Sequence, residues 1–321
     1  MPEISLAEVQ EAAERIAKIV HRTPVFSSRR FNEAAGVACF FKGENLQRGG
    51  AFKLRGAANF LLSMTEDERS RGVVTFSSGN HAQAVAIIAR ELGVAATIVM
   101  PADAPKAKLE ATRSYGAQIV PYDRLHEDRE AIGRRLASEC GATVVPPFDH
   151  PWIVAGQGTA ALELLEDISG LDAVAVPLGG GGLLSGTLIA AKSLRPSIKV
   201  FGVEPELAND WALSLAAGER IAISVPETIA DGLRTVQPGA ITFPIVKSLV
   251  DDVLLVTEDE MKQTVRFLLT RLKILAEPSG AAGAAAVLHQ KLPRRLKRVG
   301  VIISGGNIDL DMLAGICGQL G

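Results

Sequence analysis

Short apolar runs rich in β-branched residues alternate along this chain with longer amphipathic segments. The short runs predict strands at Val73–Phe76, Thr97–Met100, Gln118–Val120, Ala173–Val176, Lys199–Val203, Val253–Val256 and Gly300–Ile303. The longer segments predict helices that include Ala82–Leu92, Pro105–Tyr115, Glu127–Cys140, Thr159–Ile168 and Glu258–Leu272. Repeated alternation of strand and helix is typical of mostly parallel sheets flanked by helices, so the predicted fold class is α/β.

The N-terminal segment carries its own helix start signal. Ser5 is followed three residues later by Glu8, which is the spacing of a capping box. A length of 321 residues favours two lobes of twisted sheet rather than one. We expect a small domain at residues 71–149, inserted into a large domain that is formed by residues 1–70 and 150–321.

Composition narrows the function classes. The apolar content of 47% is ordinary for a globular protein, and a net charge of −2 gives no attraction for nucleic acid or an anionic membrane. No apolar run is long enough to span a bilayer, and the residues after Met1 show no signal-peptide pattern. The three cysteines are far apart and odd in number, so we expect free thiols, a cytoplasmic location and no zinc site.

The segments that follow the predicted strands are the places to look for a ligand, because ligands of such sheets bind beyond the carboxyl ends of the strands. Ser77–Gln83 follows the first of them and opens a helix. Serine and asparagine there are typical helix caps, but the same backbone N–H groups and hydroxyls can hold an anion such as a substrate carboxylate. Both interpretations stand at this point.

Gly179–Gly182, four consecutive glycines, follows another strand and precedes a helix. Such a run is costly in entropy, and a cluster of N–H groups at a helix start binds phosphate. No lysine follows as in a P-loop, and the dinucleotide-binding fingerprint is incomplete. A phosphate site is favoured over a dinucleotide site or a plain turn.

Two further strand-end loops carry weaker signals. Glu204 and Asp210 are spaced to chelate a hard divalent cation together with carbonyl groups, although a solvated acidic loop fits the same spacing. Ser304–Asn307 places a serine and two glycines where backbone can approach a planar ligand, and a simple turn fits equally well.

Lys53 lies between Gly49 and Gly56, directly after Phe52. A lysine amine forms a Schiff base with a carbonyl, and pyridoxal phosphate (PLP) is the commonest protein-bound aldehyde that uses one. A single lysine at a helix start is ordinarily an exposed surface residue. Together, the strand-end loops at Ser77–Gln83, Gly179–Gly182 and Ser304–Asn307 favour a PLP site over that ordinary interpretation.

The chain as a whole resembles the fold-type II PLP enzymes, and within them the threonine/serine dehydratase and serine racemase family. The matching segments run in order through nearly the whole chain: Phe52–Ala57, Ser77–Gln83, Ala155–Thr159, Gly179–Gly182, Gly202–Pro205, Ala230–Gly232, Glu277–Pro278 and Ser304–Asn307. The resemblance implies two lobes of mostly parallel sheet, as in the β-subunit of tryptophan synthase.

The same resemblance implies a role for each matching residue. Lys53 would form the Schiff base with PLP and Phe52 would lie against the cofactor ring. The other cofactor contacts would be Asn80 at the ring hydroxyl, Gly179, Gly180, Gly181 and Gly182 around the phosphate, Glu277, and Ser304 at the pyridine nitrogen. The substrate carboxylate would be held by Ser77, Ser78, Asn80 and His81. Ser78 is a candidate for the proton carrier opposite the lysine, or for a carboxylate ligand alone.

Two sites are less direct. Glu204, the carbonyl of Ala208 and Asp210 match a Mg²⁺ or Mn²⁺ site of the same subgroup. Arg129 aligns with an arginine that contacts dicarboxylate ligands, although its neighbours also fit a paired surface residue.

The implied activity is β-elimination, the dehydration and deamination of a β-hydroxy amino acid such as L-threonine, L-serine or 3-hydroxyaspartate to a 2-keto acid and ammonia. The alternative is a serine- or aspartate-type racemase with elimination as a side activity. β-Replacement and a binding protein without chemistry are rivals that the Ser77–Gln83 motif and Lys53 disfavour.

The family usually reads Thr-Gly-Ser before Phe-Lys, so Gly49-Gly50-Ala51 puts simple threonine specificity in question. We expect a homodimer that binds a small-molecule amino acid as its substrate, with no nucleic-acid or membrane partner.

Overall fold

Two parallel sheets organise the protein in a computed structural model that describes residues 4–77, 79–103, 106–123 and 126–318. The strands are β1 (Val25–Phe26), β2 (Ala38–Gly43), β3 (Val73–Phe76), β4 (Ala96–Pro101), β5 (Gln118–Tyr122), β6 (Thr143–Val144), β7 (Ala173–Pro177), β8 (Lys199–Pro205), β9 (Asp252–Val256) and β10 (Arg298–Ile303). The helices are α1 (Leu6–Ile16), α2 (Arg29–Ala35), α3 (Lys53–Ser63), α4 (Glu66–Ser70), α5 (Asn80–Leu92), α6 (Lys106–Ser114), α7 (Arg129–Cys140), α8 (Pro151–Asp167), α9 (Gly182–Leu194), α10 (Asp210–Ala217), α11 (Thr242–Leu249), α12 (Glu258–Phe267), α13 (Pro278–Leu288) and α14 (Leu310–Gly318).

The larger sheet joins both ends of the chain. Its order is β1-β2-β10-β7-β8-β9, and every neighbouring pair is parallel except β1 with β2. β2 pairs with β10 along six residues, from Ala38 opposite Arg298 to Gly43 opposite Ile303. The predicted α/β class with mostly parallel sheets is confirmed.

The smaller sheet has the order β5-β4-β3-β6, all parallel, and its strands come from residues 73 to 144. The remaining strands belong to the larger sheet. The division into a small domain at residues 71–149, inserted into a large one, stays a prediction.

All seven predicted strands are present, and the capping box of Ser5 and Glu8 is confirmed at the start of α1. β1, β2 and β6 were not predicted. β1 and β6 are only two residues long, and β2 carries a buried lysine, Lys42, that breaks the apolar pattern one residue before its end. The predicted start of α8 at Thr159 is wrong, because Pro151 occupies the first turn and the His150 side chain caps it.

Helix α3 lies where the two lobes meet. Its residues Leu54, Phe60 and Leu61 pack in one core cluster with Ile98 of the smaller sheet and Ile153 of α8. Lys53, the residue that opens α3, stands beside the segment that follows β10 in the larger sheet, and its side chain reaches the segment that follows β6 in the smaller sheet. Within the described ranges, every helix falls short of the length or apolar character that a bilayer crossing requires.

Candidate active site

Lys53 is the first residue of α3 and is only partly exposed. Its Nζ donates a hydrogen bond to the Pro147 carbonyl at 2.6 Å and lies 5.2 Å from the centre of the Phe52 ring. Desolvation lowers the pKa of Lys53 to about 8. A sizeable fraction of this amine is therefore neutral near physiological pH and able to attack a carbonyl.

The loop before Lys53 is shaped by its glycines. Gly49 and Gly50 both have left-handed backbone, with φ of 72° and 73°. A Cβ on Gly50 would lie 2.3 Å from Asn307 Oδ1. This loop departs from the usual Thr-Gly-Ser pattern at Gly49 and Ala51, and the left-handed backbone gives a conformational reason for glycine at the first of these positions.

This loop lies against the segment after β10. The Gly306 amide donates to the Gly50 carbonyl at 2.9 Å, and the Phe52 amide donates to the Ser304 carbonyl at 3.0 Å. Ala51 forms an antiparallel bridge with Gly305. The structure thus brings Phe52, Lys53 and Ser304 together, as the motifs predicted.

Asn80 connects the two lobes. Its Nδ2 donates to Glu277 Oε1 at 2.7 Å, and its Oδ1 accepts from Asn307 Nδ2 at 2.9 Å. Asn307 Nδ2 also donates to the Gly49 carbonyl at 2.7 Å. Asn307, in the sequence only one member of the Ser304–Asn307 motif, is the link between the Lys53 loop and Asn80.

His81 lies two residues into the first turn of α5, 2% exposed. Its Nε2 is 3.1 Å from the Val145 carbonyl, which can only accept, so Nε2 carries the proton. Desolvation, followed by the Lys53 charge, lowers the pKa of His81 to about 3, so the ring is neutral. Ser77 directly follows β3, and its Oγ accepts from the Gly79 amide. Ser78 lies outside the described residues.

The four glycines lie between β7 and α9. Gly181 has left-handed backbone with φ of 91°, and α9 has no side-chain cap. A Cβ on Gly180 would lie 2.2 Å from the Phe148 ring. In the described part of the chain, no acceptor takes up the backbone N–H groups of Gly179–Gly182. The loop is a set of free donors at a helix start, which suits a phosphate.

The segment 145–149 was missed by sequence reasoning. Its carbonyls hold His81 and Lys53, its Phe148 ring packs on Gly180, and its Asp149 carboxylate accepts from the amides of Ala240, Ile241 and Thr242. The Pro146-Pro147 pair was the available signal for an extended, rigid segment. Its use of backbone carbonyls has no sequence signature.

Glu204 and Asp210 are both buried, at 0% and 1% exposure. Glu204 accepts from the amides of Trp211 and Ala212, and Asp210 accepts from Thr235 Oγ1 at 3.3 Å. Desolvation raises the pKa of Glu204 to about 8, with a further rise from Asp210, and desolvation also raises the pKa of Asp210 to about 7. Ala208 is buried between them. Over the described ranges, no group of three or more His, Cys, Asp or Glu side chains is arranged to hold a metal.

Arg129 opens α7 and is exposed. In a parallel β-α-β crossover the helix starts at the carboxyl edge of the sheet, which is the edge where Ser77 lies. No contact within the described ranges joins Arg129 to Lys53 or Ser304. Its predicted role in holding a dicarboxylate stays a prediction.

The residues present fit PLP. A partly buried amine of lowered pKa, an aromatic ring next to it, and free N–H donors at the start of α9 are the groups that an aromatic aldehyde phosphate needs. Ser304 offers a buried hydroxyl at the same edge.

Comparison with known proteins agrees with this geometry. The family model described as pyridoxal-phosphate dependent enzyme matches residues 16–305. The L-threo-3-hydroxyaspartate ammonia-lyase of Saccharomyces cerevisiae is 51% identical over 307 residues, which cover 96% of this chain and 94% of that protein. The serine racemase of Schizosaccharomyces pombe is 47% identical over 312 residues, 97% of each chain.

A solved structure shares the fold. The crystal structure of serine racemase from Dictyostelium discoideum matches with a TM-score of 0.90 at 47% identity, over 96% of this chain and 99% of that chain. The resemblance inferred from the sequence motifs is therefore confirmed along almost the whole length. The chain belongs to the family of pyridoxal-phosphate-dependent enzymes.

Proposed function

We propose that this protein is a PLP-dependent ammonia-lyase that converts a β-hydroxy amino acid to a 2-keto acid and ammonia. The observation that carries the proposal is the Lys53 amine, which has a pKa of about 8 and lies at the edge that the free amides of Gly179–Gly182 also line. A relative that is 51% identical is named for the same class of reaction on L-threo-3-hydroxyaspartate.

When bound, PLP supplies an electron sink for the substrate Cα. Lys53 Nζ takes the Cα proton, because its lowered pKa makes it a usable base near neutral pH. The Pro147 carbonyl holds this amine in place while it is free. Ser304 offers a hydroxyl rather than a carboxylate where the pyridine nitrogen is expected, which favours loss of the β-hydroxyl over transamination.

The substrate carboxylate is proposed to lie at the start of α5. This helix has no side-chain cap at Gly79, so its first amides are open to an anion. The site residues assigned to this group are Ser77, Ser78, Asn80 and His81. The neutral His81 ring contributes packing and its own amide rather than a charge.

Arg129 is proposed to receive the second carboxylate of a dicarboxylic substrate. It is an exposed cation at the first residue of α7, on the edge that Ser77 shares. This would favour 3-hydroxyaspartate over serine and threonine, since a bidentate arginine–carboxylate pair adds affinity that the smaller substrates lack.

The decisive experiment is a panel of L- and D-β-hydroxy amino acids, each assayed for keto acid and ammonia. We expect turnover of L-threo-3-hydroxyaspartate to exceed that of L-serine, and Arg129→Met to remove most of that preference. Absence of keto acid from every member of the panel, with PLP bound, would sink the proposal.

Serine racemase is the second candidate, because the Schizosaccharomyces pombe relative bears that name at 47% identity. Racemisation needs a proton carrier on the face opposite Lys53, and Ser78 is the proposed residue. Chiral analysis of L-serine after incubation separates the two activities. Accumulation of D-serine faster than pyruvate would make the racemase the main activity.

Three finer expectations complete the proposal. A Mg²⁺ or Mn²⁺ ion is expected between Glu204, the Ala208 carbonyl and Asp210, because two buried carboxylates with no cationic partner among the described residues favour one. We also expect a homodimer and a cytoplasmic location. Sedimentation of the purified protein and fractionation of cells test these last two.

A further inference from the structure

Four charged side chains are buried together behind Lys53. Lys42 comes from β2, Glu44 from the turn after it, Arg55 from α3 and Glu163 from α8. The first three are fully buried, and the Glu163 side chain is 12% exposed. We call these four residues the buried quartet. Its two cations and two anions balance.

Arg55 is the centre of the buried quartet. Its Nε and Nη2 donate to the two carboxylate oxygens of Glu44, both at 2.8 Å. Its Nη1 and Nη2 donate to the two oxygens of Glu163, at 2.7 and 2.8 Å. One guanidinium thus makes two bidentate pairs, which fixes its plane and position.

Lys42 completes the quartet from the other side. Its Nζ donates to Glu163 Oε2 at 2.5 Å and to the Thr23 carbonyl at 2.6 Å. Burial alone would raise the pKa of Glu44, yet the Arg55 charge and hydrogen bonds hold it below the usual range. The quartet is therefore charged and saturated with partners, with no group left over for a ligand.

Stability alone does not account for four buried charges, because replacing a buried ion pair with apolar residues of similar volume is often neutral or stabilising. The position of Arg55 in α3 suggests another purpose. Arg55 follows Lys53 by two residues, about 200° around the helix, so the two side chains leave the same turn on opposite sides. Arg55 enters the core, and Lys53 reaches the Pro147 carbonyl.

Outside the quartet, the backbone of the turn that carries Lys53 is held by hydrogen bonds without a charged partner, such as that of the Phe52 amide to the Ser304 carbonyl. Phe52, at the N-cap position, makes no side-chain cap. The Arg55 amide donates to the Phe52 carbonyl at 2.9 Å, and the Gly56 amide donates to Gln157 Oε1 at 3.2 Å. The quartet supplies the charge-assisted contacts of this turn, and they join it to β2 and α8.

We propose that the buried quartet is a positioning device for Lys53, in which Arg55 fixes the first turn of α3 from the core side so that Nζ is aimed at the cavity. The proposal rests on Lys53 being the reactive amine of the proposed function. Arg55, Glu44, Glu163 and Lys42 act through Lys53 and touch neither cofactor nor substrate.

The first test measures the amine itself in the full-length protein after PLP is removed. Acetic anhydride labels neutral amines, so the pH dependence of Lys53 labelling, followed by mass spectrometry, gives its pKa. The wild type is expected near 8. Arg55→Lys cannot make both bidentate pairs, and Glu163→Gln is a milder change. In both variants we expect a looser first turn of α3 that admits water, so the pKa of Lys53 rises by about one unit or more towards the ordinary lysine value.

The second test uses the holoenzyme. Misplacing a reacting group by about 1 Å costs up to about 100-fold in rate. We expect kcat to fall about tenfold or more in both variants, with KM within about twofold of the wild type, since the substrate carboxylate loop belongs to the other sheet.

Asp251→Asn is the matched control. Asp251 accepts hydrogen bonds from Lys192 at 2.5 Å and from Lys199 at 2.8 Å. Lys199 is the first residue of β8, so this cluster lies at the amino edge of the larger sheet, opposite the carboxyl edge where Lys53 stands. This variant should lose thermal stability while the Lys53 pKa and kcat stay unchanged. An equal pKa shift in this control, or folded Arg55→Lys and Glu163→Gln proteins with wild-type labelling, would overturn the proposal.

The labelling measurement needs no substrate, so it separates the two proposals. If the Lys53 pKa rises in the variants as expected but no β-hydroxy amino acid of the panel is turned over, the positioning role is supported and the ammonia-lyase activity is refuted. Turnover of the panel with no labelling change would do the reverse.

Discussion

The region behind α3 and the region in front of it each place a lysine away from solvent, and the two lysines have different partners. Lys42 meets the Glu163 carboxylate at 2.5 Å, whereas the hydrogen-bond partner of Lys53 in the described part of the chain is the neutral Pro147 carbonyl at 2.6 Å. Burial lowers the pKa of both, but Glu163 opposes the shift at Lys42, and no anion within the described ranges opposes it at Lys53. A desolvated lysine becomes reactive where the fold places no anion beside it.

The carboxylates repeat this contrast with opposite sign. Glu44 has the Arg55 guanidinium against both oxygens, and its pKa stays low despite burial. Among the described residues, the partners of Glu204 and Asp210 are amide and hydroxyl donors, and desolvation raises the pKa of each. Paired charges therefore mark the scaffold of this protein, and unpaired ones mark the places where a ligand is expected.

The largest expected effect separates the two lysines. Lys53→Ala should abolish the Schiff-base absorbance and lower turnover by about 10⁴-fold or more, because one residue serves as cofactor attachment and base. Its melting temperature should change little, since the side chain makes one hydrogen bond. Lys42→Met should keep the absorbance and lose stability instead. Absorbance spectra, turnover assays and thermal melts compare the two variants. Turnover by Lys53→Ala close to the wild-type rate would contradict the assignment.

The next effect is on folding. Arg55→Met leaves Glu44 and Glu163 facing each other without the guanidinium, and the free energy of unfolding should fall by about 3–5 kcal/mol. Adding Glu44→Leu should restore part of the loss, because Lys42 still neutralises Glu163. Urea unfolding measures both variants.

Arg22→Met is the control for that experiment. Arg22 also contacts two carboxylates, Glu166 and Asp167, but its side chain is 53% exposed. Exposed pairs contribute at most about 1 kcal/mol, so a comparable loss in this variant would show that burial and pairing are not what distinguishes the quartet.

A smaller effect tests the unpaired carboxylates. Mg²⁺ or Mn²⁺ at 100 times its dissociation constant should stabilise the protein by about 2.7 kcal/mol, and EDTA should remove that gain. Thermal melts with and without the ion measure the effect. In Glu204→Gln/Asp210→Asn the response should vanish. A melting shift of the same size in this double variant would place the ion elsewhere.

The same contrast explains what sequence could foretell. Strands such as β7, in which all five residues are buried, can be predicted from the sequence because they are apolar runs. The motifs at Lys53, Gly179–Gly182 and Ser304 likewise predicted which edge of the sheet holds the site. Lys42 and Glu163 are 121 residues apart, and each looks like a surface charge until the fold supplies its partner. The Pro147 carbonyl could not be foreseen at all, because a backbone acceptor carries no residue identity.

The smallest expected effect concerns the neutral fraction of Lys53. Only the neutral amine attacks the PLP aldehyde, so the rate of PLP uptake by the cofactor-free protein should rise about tenfold per pH unit below the pKa and level off above about 8. Stopped-flow absorbance between pH 6 and 10 follows it, with N-acetyl-lysine as the reference amine. If the rate of PLP uptake kept rising to pH 10, as the rate for N-acetyl-lysine does, Lys53 would have an ordinary pKa. The lack of an anion beside it would then not distinguish Lys53 from an exposed lysine.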